Sequence, residues 1–274
     1  MDTLRDTKSG HIRVRDGTRI AYSLHGEVDC DVRVILLHSL GMDRHFWQPV
    51  VERLMGQALV LTIDCRGHGA SDKTPGPYTV ELFARDVFDL VSAFRFDDVL
   101  VAGASMGGCV ALQFAGTWPR LTRAVGLIDT TAWYGEAAPK NWEERAAKAE
   151  SSGLAPMVEF QTTRWFGDAF RAAHPEVVQR CVDTFLRNDV HVFASTCRML
   201  GAFDGRALLS KVRAPCSVIV GEEDYAAPVA MARALRDGID GSSLTIIPNA
   251  RHLTPLETPD VVARELVRLL APKG

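Results

Sequence analysis

Ser105 lies in a stretch that can hold a serine hydroxyl in position to react. The sequence VAGASMGG at 101–108 places it between Gly103 and Gly107 in the pattern G-x-S-x-G. Small residues on both sides allow a strained turn between a buried strand and a helix, and such a turn pushes the hydroxyl out above the sheet. The pattern also fits a purely structural glycine turn. The nucleophile hypothesis therefore requires partners elsewhere in the chain.

Two partners with suitable chemistry follow later apolar runs. A serine hydroxyl becomes a nucleophile when a base takes its proton, and a histidine oriented by a carboxylate is a common base. Asp224 follows the run CSVIVG at 216–221, and His252 follows SLTIIP at 243–248. Both runs read as strands, and the loops after parallel strands collect at one edge of a sheet. The sequence predicts a Ser105–His252–Asp224 triad.

The identity of the acid is less strongly indicated than that of the base. Glu222 and Glu223 share the loop with Asp224, but Asp224 lies deepest in that loop before Pro228 opens the next helix. Asp129 ends the preceding strand in LIDTTAW and could reach the same histidine. We take Asp224 as the acid and keep Asp129 as the alternative.

Acyl transfer also needs N–H donors for the negative oxygen of the tetrahedral intermediate. Met106, the residue after the nucleophile, supplies one backbone N–H, and the loop LHSLGMD at 37–43 is expected to supply the other through Leu40. A simple turn at Gly41 would also explain that loop. Each donor of this kind is typically worth about 2.7 to 4 kcal/mol of transition-state stabilisation.

The elements that must position these residues are readable from hydrophobic periodicity. The alternating segment at 11–26, centred on Asp16-Gly17, predicts a β-hairpin. Continuous apolar runs predict strands covered on both faces, and segments of helical period lie between them. Strands alternating with helices indicate an α/β fold with a mostly parallel sheet flanked by helices. These runs are at 32–38, 58–64, 97–104, 123–129, 216–221 and 243–248.

The alternation of strands and helices stops between about Thr131 and Phe203. This part of the chain reads as consecutive helices, which cannot continue a parallel sheet but can cover one end of it. We therefore expect residues 1–130 and 206–274 to form the core and residues 131–205 an inserted helical cap. A cap over the site is the natural place for substrate selection.

Composition narrows the class of ligand. The 274 residues are 47% hydrophobic and carry a formal net charge of −3, with Lys and Arg dispersed, so neither nucleic acid nor an anionic membrane is indicated as a partner. The polar start and the absence of a long apolar stretch predict a cytoplasmic protein. Six cysteines without a C-x-x-C pair fit reduced thiols, and we expect no metal. The sequence leaves the oligomeric state open.

With these parts in order, the chain resembles the α/β-hydrolase superfamily. The stretch DCRGHGASD at 64–72 strengthens the resemblance, with Arg66 and His68 in structural rather than catalytic roles. A narrower resemblance to the 3-oxoadipate enol-lactonases runs along most of the chain. It rests on SLGMDRHFW, GHGASDKTPGPYTVELFARDV, GASMGG and, within the cap, RWFGDAFRAAHPEVV.

The resemblance implies a serine hydrolase that opens a carboxylated enol-lactone without a cofactor, in the bacterial breakdown of aromatic acids. It implies a pocket that binds the carboxylate, with Arg164 and Trp165 in the cap as candidates and Trp133 as a candidate wall. A general carboxylesterase and a carbon–carbon bond hydrolase of aromatic-ring cleavage products are the alternatives. A ligand receptor on the same fold is a third class, with less reason to keep every catalytic part.

Overall fold

A computed structural model of the protein describes residues 8–27 and 29–270. The predicted core also includes residues 1–7, Val28 and 271–274, which lie outside the described residues. Within the described ranges, eight strands form one sheet in the spatial order β1-β2-β4-β3-β5-β6-β7-β8. The strands are β1 Lys8–Arg13, β2 Arg19–His25, β3 Arg33–Leu37, β4 Leu59–Ile63, β5 Val99–Ala104, β6 Thr122–Ile128, β7 Cys216–Gly221 and β8 Ser243–Ile247.

The sheet is mostly parallel, as the sequence predicts. Strands β1 and β2 pair antiparallel as the predicted hairpin, and β2 joins β4 antiparallel. All further pairs, from β4 across to β8, are parallel. Every residue of β4, β5 and β7 is buried, which requires cover on both faces and explains their unbroken apolar runs.

Helices supply that cover in two groups. The helices outside residues 131–205 are α1 Gln48–Leu54, α2 Val80–Ala93, α3 Met106–Thr117, α9 Arg206–Leu209, α10 Val229–Gly238, α11 Thr254–Glu257 and α12 Pro259–Leu270, with a 3₁₀ helix at Arg44–Trp47. On one face α1 packs against α12, and α12 also contacts β6 and β7. The other group contains α2, α3, α9 and α10: α3 contacts α2 and α9, and α9 contacts α10.

Of the six α-helices between β6 and β7, α9 is the last, and the other five lie within residues 131–205. They are α4 Ala138–Ser152, α5 Val158–Trp165, α6 Asp168–Ala173, α7 Pro175–Leu186 and α8 Val190–Ala202, with a 3₁₀ helix at Ala155–Met157. The most extensive packing within this segment is between α4 and α8. An isolated bridge joins Trp133 to Asp204 at the two ends of the segment.

None of the helices in the described ranges combines the length and the apolar character that a bilayer-crossing helix needs.

Candidate active site

A tight turn between β5 and α3 presents Ser105. Its φ of 54° and ψ of −116° are rare for a residue with a side chain, and this strained backbone turns the chain sharply from strand to helix. A Cβ on Gly107 would lie 2.1 Å from the carbonyl oxygen of Leu37, and one on Gly103 would lie 2.0 Å from that of Gly107. The glycines of the motif thus allow α3 to start directly against the ends of β3 and β5.

Ser105, His252 and Asp224 form a connected chain of hydrogen bonds. His252 Nε2 lies 2.9 Å from Ser105 Oγ, and His252 Nδ1 lies 2.8 Å from Asp224 Oδ2. All three residues are buried. An ionised carboxylate only accepts hydrogen bonds, so Nδ1–H donates to Asp224 and leaves Nε2 free to accept from the serine hydroxyl. This is the tautomer that a general base for Ser105 requires.

Backbone N–H groups fix the carboxylate of Asp224. Its Oδ1 accepts hydrogen bonds from the N–H groups of Ala226 and Ala227, each at 2.8 Å. Its Oδ2 is thereby left for His252. The other two acids of this loop face elsewhere: Glu222 accepts from the N–H of Asn249, and Glu223 contacts Arg251.

Asp129, the alternative acid, binds backbone rather than His252. Its Oδ1 accepts from the N–H of Gly221 at 3.2 Å, and its Oδ2 accepts from the N–H and hydroxyl of Thr254 at 2.9 and 2.7 Å. Complete burial, together with the charge of Asp224, raises the pKa of Asp129 well above its usual value. Asp129 therefore ties the start of the Asp224 loop to the segment just after His252.

The loop after β3 places Leu40 at the site. Leu40 and Ser39 line the same cavity as Ser105, while Met106 follows Ser105 at the first position of α3. Within the described ranges, neither the Leu40 nor the Met106 N–H donates to a backbone oxygen. Both are thus available to an oxygen bound near Ser105.

His38 holds this loop, a role that the sequence analysis missed. Its Nδ1–H donates to the carbonyl oxygen of Ser39 at 2.8 Å, and its Nε2 accepts from the N–H of Cys65 at 2.9 Å. Burial lowers the pKa of His38, so the ring stays neutral and performs both functions. The position of His38 directly after a buried strand was the available signal.

The predicted structural role of Arg66 agrees with its contacts. Its guanidinium donates to both carboxylate oxygens of Asp86, at 2.9 and 2.6 Å, and to Asp16 at 2.7 Å. His68 is also buried, with Nδ1 at 3.0 Å from the carbonyl oxygen of Arg66. Both side chains support the loop after β4.

A cavity of about 460 Å³ opens beside the catalytic candidates. Ser105 and His252 line it from the edge of the sheet, and side chains of α4 and α5 line it from the segment between β6 and β7. Those from α4 include Trp142, Arg145 and Lys148. The sequence analysis did not select these three, because a polar helix face usually points to solvent.

Of the three expected pocket residues, Arg164 and Trp165 line the cavity and Trp133 does not. The expectation for Trp133 is corrected: its ring packs beneath the guanidinium of Arg206 at 3.9 Å, and its backbone pairs with Asp204. The next residue, Tyr134, lines the cavity instead. Which of two adjacent residues faces the cavity depends on the backbone path of the loop, and hydrophobic periodicity in the sequence does not predict that path.

No three or more His, Cys, Asp or Glu side chains are grouped to hold a metal ion in the part of the chain that the structure describes.

Comparison with known proteins identifies related hydrolases. The profile of the alpha/beta hydrolase family matches residues 34–265. The chain is 30% identical over 238 residues to 3-oxoadipate enol-lactonase 2 of Acinetobacter baylyi, covering 87% of this chain and 88% of that protein. It is also 26% identical to a putative carbamate hydrolase, RutD, of Agrobacterium fabrum, covering 92% of this chain and 98% of the relative.

The fold is similar to that of a solved enol-lactonase. The crystal structure of the enzyme from Burkholderia xenovorans superimposes with a TM-score of 0.91 at 31% sequence identity, covering 95% of this chain and 99% of the other. This similarity confirms the fold class expected from the sequence, and the relatives support hydrolase activity.

Proposed function

The chain belongs to the alpha/beta hydrolase family, and on that premise we propose that it is a serine hydrolase that cleaves an ester or lactone bond through an acyl-enzyme. The observation that carries the proposal is the unbroken hydrogen-bonded chain from Ser105 through His252 to Asp224 at the wall of a cavity. A buried triad in the productive tautomer beside a cavity of this size fits acyl transfer to a small molecule.

In the proposed mechanism each of these residues performs one step. Ser105 Oγ attacks the carbonyl carbon while its proton passes to His252 Nε2, and Asp224 stabilises the imidazolium that results. The carbonyl oxygen becomes an oxyanion that accepts from the N–H groups of Leu40 and Met106. His252 then donates its proton to the leaving oxygen. Water activated by the same histidine attacks the acyl-enzyme and releases the acid, which regenerates Ser105.

An enol-lactone such as 3-oxoadipate enol-lactone is the substrate we propose. The leaving group of this reaction is an enol, which takes the proton from His252 and tautomerises to a ketone. Support comes from the enol-lactonases among the relatives, at 30% and 31% identity. A place in the breakdown of aromatic acids is part of this proposal.

We further propose that the core comprises residues 1–130 and 206–274 and that residues 131–205 form a cap that selects the substrate. This division is supported by the five α-helices within residues 131–205 and by the contribution of α4 and α5 to the cavity wall. Trp165, buried against Phe185, would shape that wall.

The test is hydrolysis by the purified protein beside a Ser105→Ala variant. Serine-dependent opening of 3-oxoadipate enol-lactone, much faster than cleavage of p-nitrophenyl acetate, is the expected result. Ser105→Ala should lower kcat by roughly 10⁶-fold and leave the circular dichroism spectrum unchanged.

Other outcomes separate the alternatives. Ester cleavage without lactone opening would keep the triad and indicate a general carboxylesterase. Cleavage of a vinylogous diketone alone would indicate a carbon–carbon bond hydrolase. Near-normal activity of Ser105→Ala would remove Ser105 from the role of nucleophile.

A further inference from the structure

The loop that carries His252 lies at one edge of the sheet. It follows β8, the last strand in the spatial order, and precedes α11. The ring of His252 is bonded to Asp224 and Ser105, but these bonds keep their geometry only while the backbone that carries the ring stays in place. The contacts that fix this backbone therefore matter to the chemistry proposed for His252.

Arg251, the residue before His252, binds the C-terminal end of α5. Its Nη1 donates to the carbonyl oxygen of Thr163, in the last turn of that helix, at 2.8 Å and to that of Phe166, just after it, at 3.1 Å. The last carbonyls of an α-helix have no partner within the helix, and a cation near them is favourable. The same Nη1 forms an ion pair at 2.9 Å with Asp168, the first residue of α6. Arg251 is thus bound to residues 163–168, which we call the α5–α6 junction.

Leu253 and Glu257 add further hydrogen bonds at the same junction. The Leu253 N–H donates to the carbonyl oxygen of Trp165, the last residue of α5, at 3.0 Å. The Glu257 carboxylate bridges the two segments, because Oε1 accepts from the N–H of Gly167 and Oε2 from that of Arg251, each at 2.9 Å. The chain is therefore held by the α5–α6 junction on both sides of the catalytic histidine.

Arg251 also contacts the loop that carries the acid. It is buried, and its Nε lies 3.3 Å from Oε2 of Glu223, the residue before Asp224. The ring of Tyr225, on the other side of Asp224, lies 5.4 Å from the guanidinium. A guanidinium with several acceptors in fixed directions holds its neighbours more firmly than an exposed ion pair does. Arg251 thus joins the loop of the base, the loop of the acid and the α5–α6 junction.

We propose that Arg251 is a positioning residue for His252, and that through it the cap holds the catalytic base as well as lining the cavity. Trp165 takes part in both roles, since its side chain lines the cavity and its carbonyl oxygen binds Leu253. The inference rests on the proposed function and deepens it: a cap that only selected substrate would affect binding, whereas this junction affects the step in which His252 takes the proton of Ser105. A loosened junction should lower kcat and leave KM nearly unchanged.

The first test compares Arg251→Gln with a matched control. Arg198→Gln also removes an arginine paired with two carboxylates, those of Glu143 and Glu150, but these pairs join α8 to α4 and not to the loop of His252. With p-nitrophenyl acetate, Arg251→Gln should lower kcat about 10- to 100-fold and change KM less than about 3-fold. Arg198→Gln should change kcat less than about 3-fold. Arg251→Lys, which keeps a cationic donor, should recover part of the loss.

A single-turnover reaction tests the base without a hydrolysable substrate. Diethyl p-nitrophenyl phosphate forms a bond from its phosphorus to Ser105 Oγ and releases p-nitrophenolate, while the serine proton passes to His252. The rate constant of this release should fall about 10- to 100-fold in Arg251→Gln. Glu257→Gln, which loosens the junction without removing Arg251, should lower it in the same direction. Glu257→Gln decides the matter if Arg251→Gln does not fold.

The Nδ1–H proton of His252 gives a signal that depends on no reaction. In the wild type it should produce a low-field proton resonance that disappears in Asp224→Asn, since Nδ1 there accepts from the amide instead of donating. In Arg251→Gln the resonance should broaden or vanish at a temperature where Arg198→Gln retains it, because a loosened loop lets this proton exchange with water.

The outcomes distinguish this inference from the proposed function. If no ester or lactone is hydrolysed but phosphorylation and the resonance depend on Arg251, the proposed function fails and the positioning role stands. An Arg251→Gln variant with unchanged kcat, phosphorylation rate and resonance overturns the positioning role, and so does an equal loss in Arg198→Gln. A rise in KM alone would make Arg251 a substrate-binding residue and also overturns it. A wild type without the low-field resonance lacks the fixed His252–Asp224 contact that the inference requires.

Discussion

Asp224 and Asp129 are buried carboxylates at the ends of neighbouring strands, and their hydrogen bonds give them different functions. Asp224 accepts from His252, whereas Asp129 accepts from Gly221 and Thr254 on the two segments that carry the acid and the base. Conservative substitution of each by asparagine should therefore separate an effect on chemistry from an effect on stability.

Asp224→Asn should lower kcat by about 10⁴-fold, because the amide NH₂ would donate to His252 Nδ1 and place the ring proton on Nε2, where it cannot accept from Ser105. The N–H groups of Ala226 and Ala227 can still bind the amide oxygen, so the thermal midpoint should fall little. Steady-state kinetics and thermal unfolding measure the two quantities. A loss of activity below about 10-fold would contradict the assignment of Asp224 as the acid.

Asp129→Asn should instead destabilise the fold by about 1 to 3 kcal/mol. Both side-chain oxygens of Asp129 accept hydrogen bonds, whereas asparagine has one oxygen, and its NH₂ group would face a buried N–H donor of Gly221 or Thr254. Urea unfolding at pH 7 measures this change. A loss of kcat as large as that of Asp224→Asn, in protein that remains folded, would make Asp129 the acid and reverse our assignment.

At the level of elements, the site depends on how closely α3 approaches β3. The carbonyl oxygen of Leu37 lies 2.1 Å from the position that a Cβ of residue 107 would take, so the strand end and the helix start are in backbone contact. This contact keeps Ser105, at the end of β5, near the loop that carries Leu40 after β3.

Gly107→Ala should displace α3 from β3 and abolish activity or prevent folding, since backbone atoms at 2.1 Å cannot yield as a flexible side chain could. Gly56→Ala is the matched control: Gly56 has a φ of 78° but no atom near its Cβ position, so the substitution should cost only about 1 to 2 kcal/mol and preserve activity. Soluble yield, thermal unfolding and ester hydrolysis of the two variants test this. Full activity of Gly107→Ala would show that the contact is not required.

At the level of the whole molecule, burial keeps several histidines neutral. Burial lowers the pKa of His68 to about 3 and that of His25 to about 4, and it lowers that of His38 as well. The unfolded chain binds protons on these rings below about pH 6.5, whereas the native protein does not. Their contribution to stability is therefore present above pH 6.5 and is lost as the pH falls towards the pKa values of these histidines in the folded protein. Burial raises the pKa of Asp86 to about 6, so the native protein binds a proton on this carboxyl group at a higher pH than the unfolded chain does. The contribution of Asp86 to stability therefore increases as the pH falls below 6, opposite to that of the histidines.

Acidification should consequently reduce stability through His68 by about 2 kcal/mol between pH 7 and pH 5. Comparison of wild type with His68→Gln isolates this contribution, because Asp86 and the other groups are common to both. The loss of unfolding free energy between the two pH values, measured in urea, should be about 2 kcal/mol smaller in the variant. Equal losses would show that His68 takes up no proton on unfolding in this range.

The sequence alone was sufficient to predict the strands, the helical segment between β6 and β7 and the residues of the candidate triad. Continuous apolar runs, helical period and the G-x-S-x-G turn are local signals, and parallel strands bring the loops after them to one edge whatever the details of packing. Ser105, His252 and Asp224 each follow such a strand, which is why their proximity could be predicted.

Only the tertiary structure decided which polar groups meet. Asp224 and Asp129 follow strands of the same kind, and no local pattern tells which carboxylate reaches His252 and which binds Thr254. Trp133 and Tyr134 are adjacent in sequence, yet only Tyr134 lines the cavity. Arg145 looks like a solvated helix residue until α4 packs against α8, which buries its Nε and brings its guanidinium to 5.7 Å from the centroid of the Phe193 ring. These contacts join residues distant in sequence, so their directions are set by long-range packing, while the signals in the sequence are local.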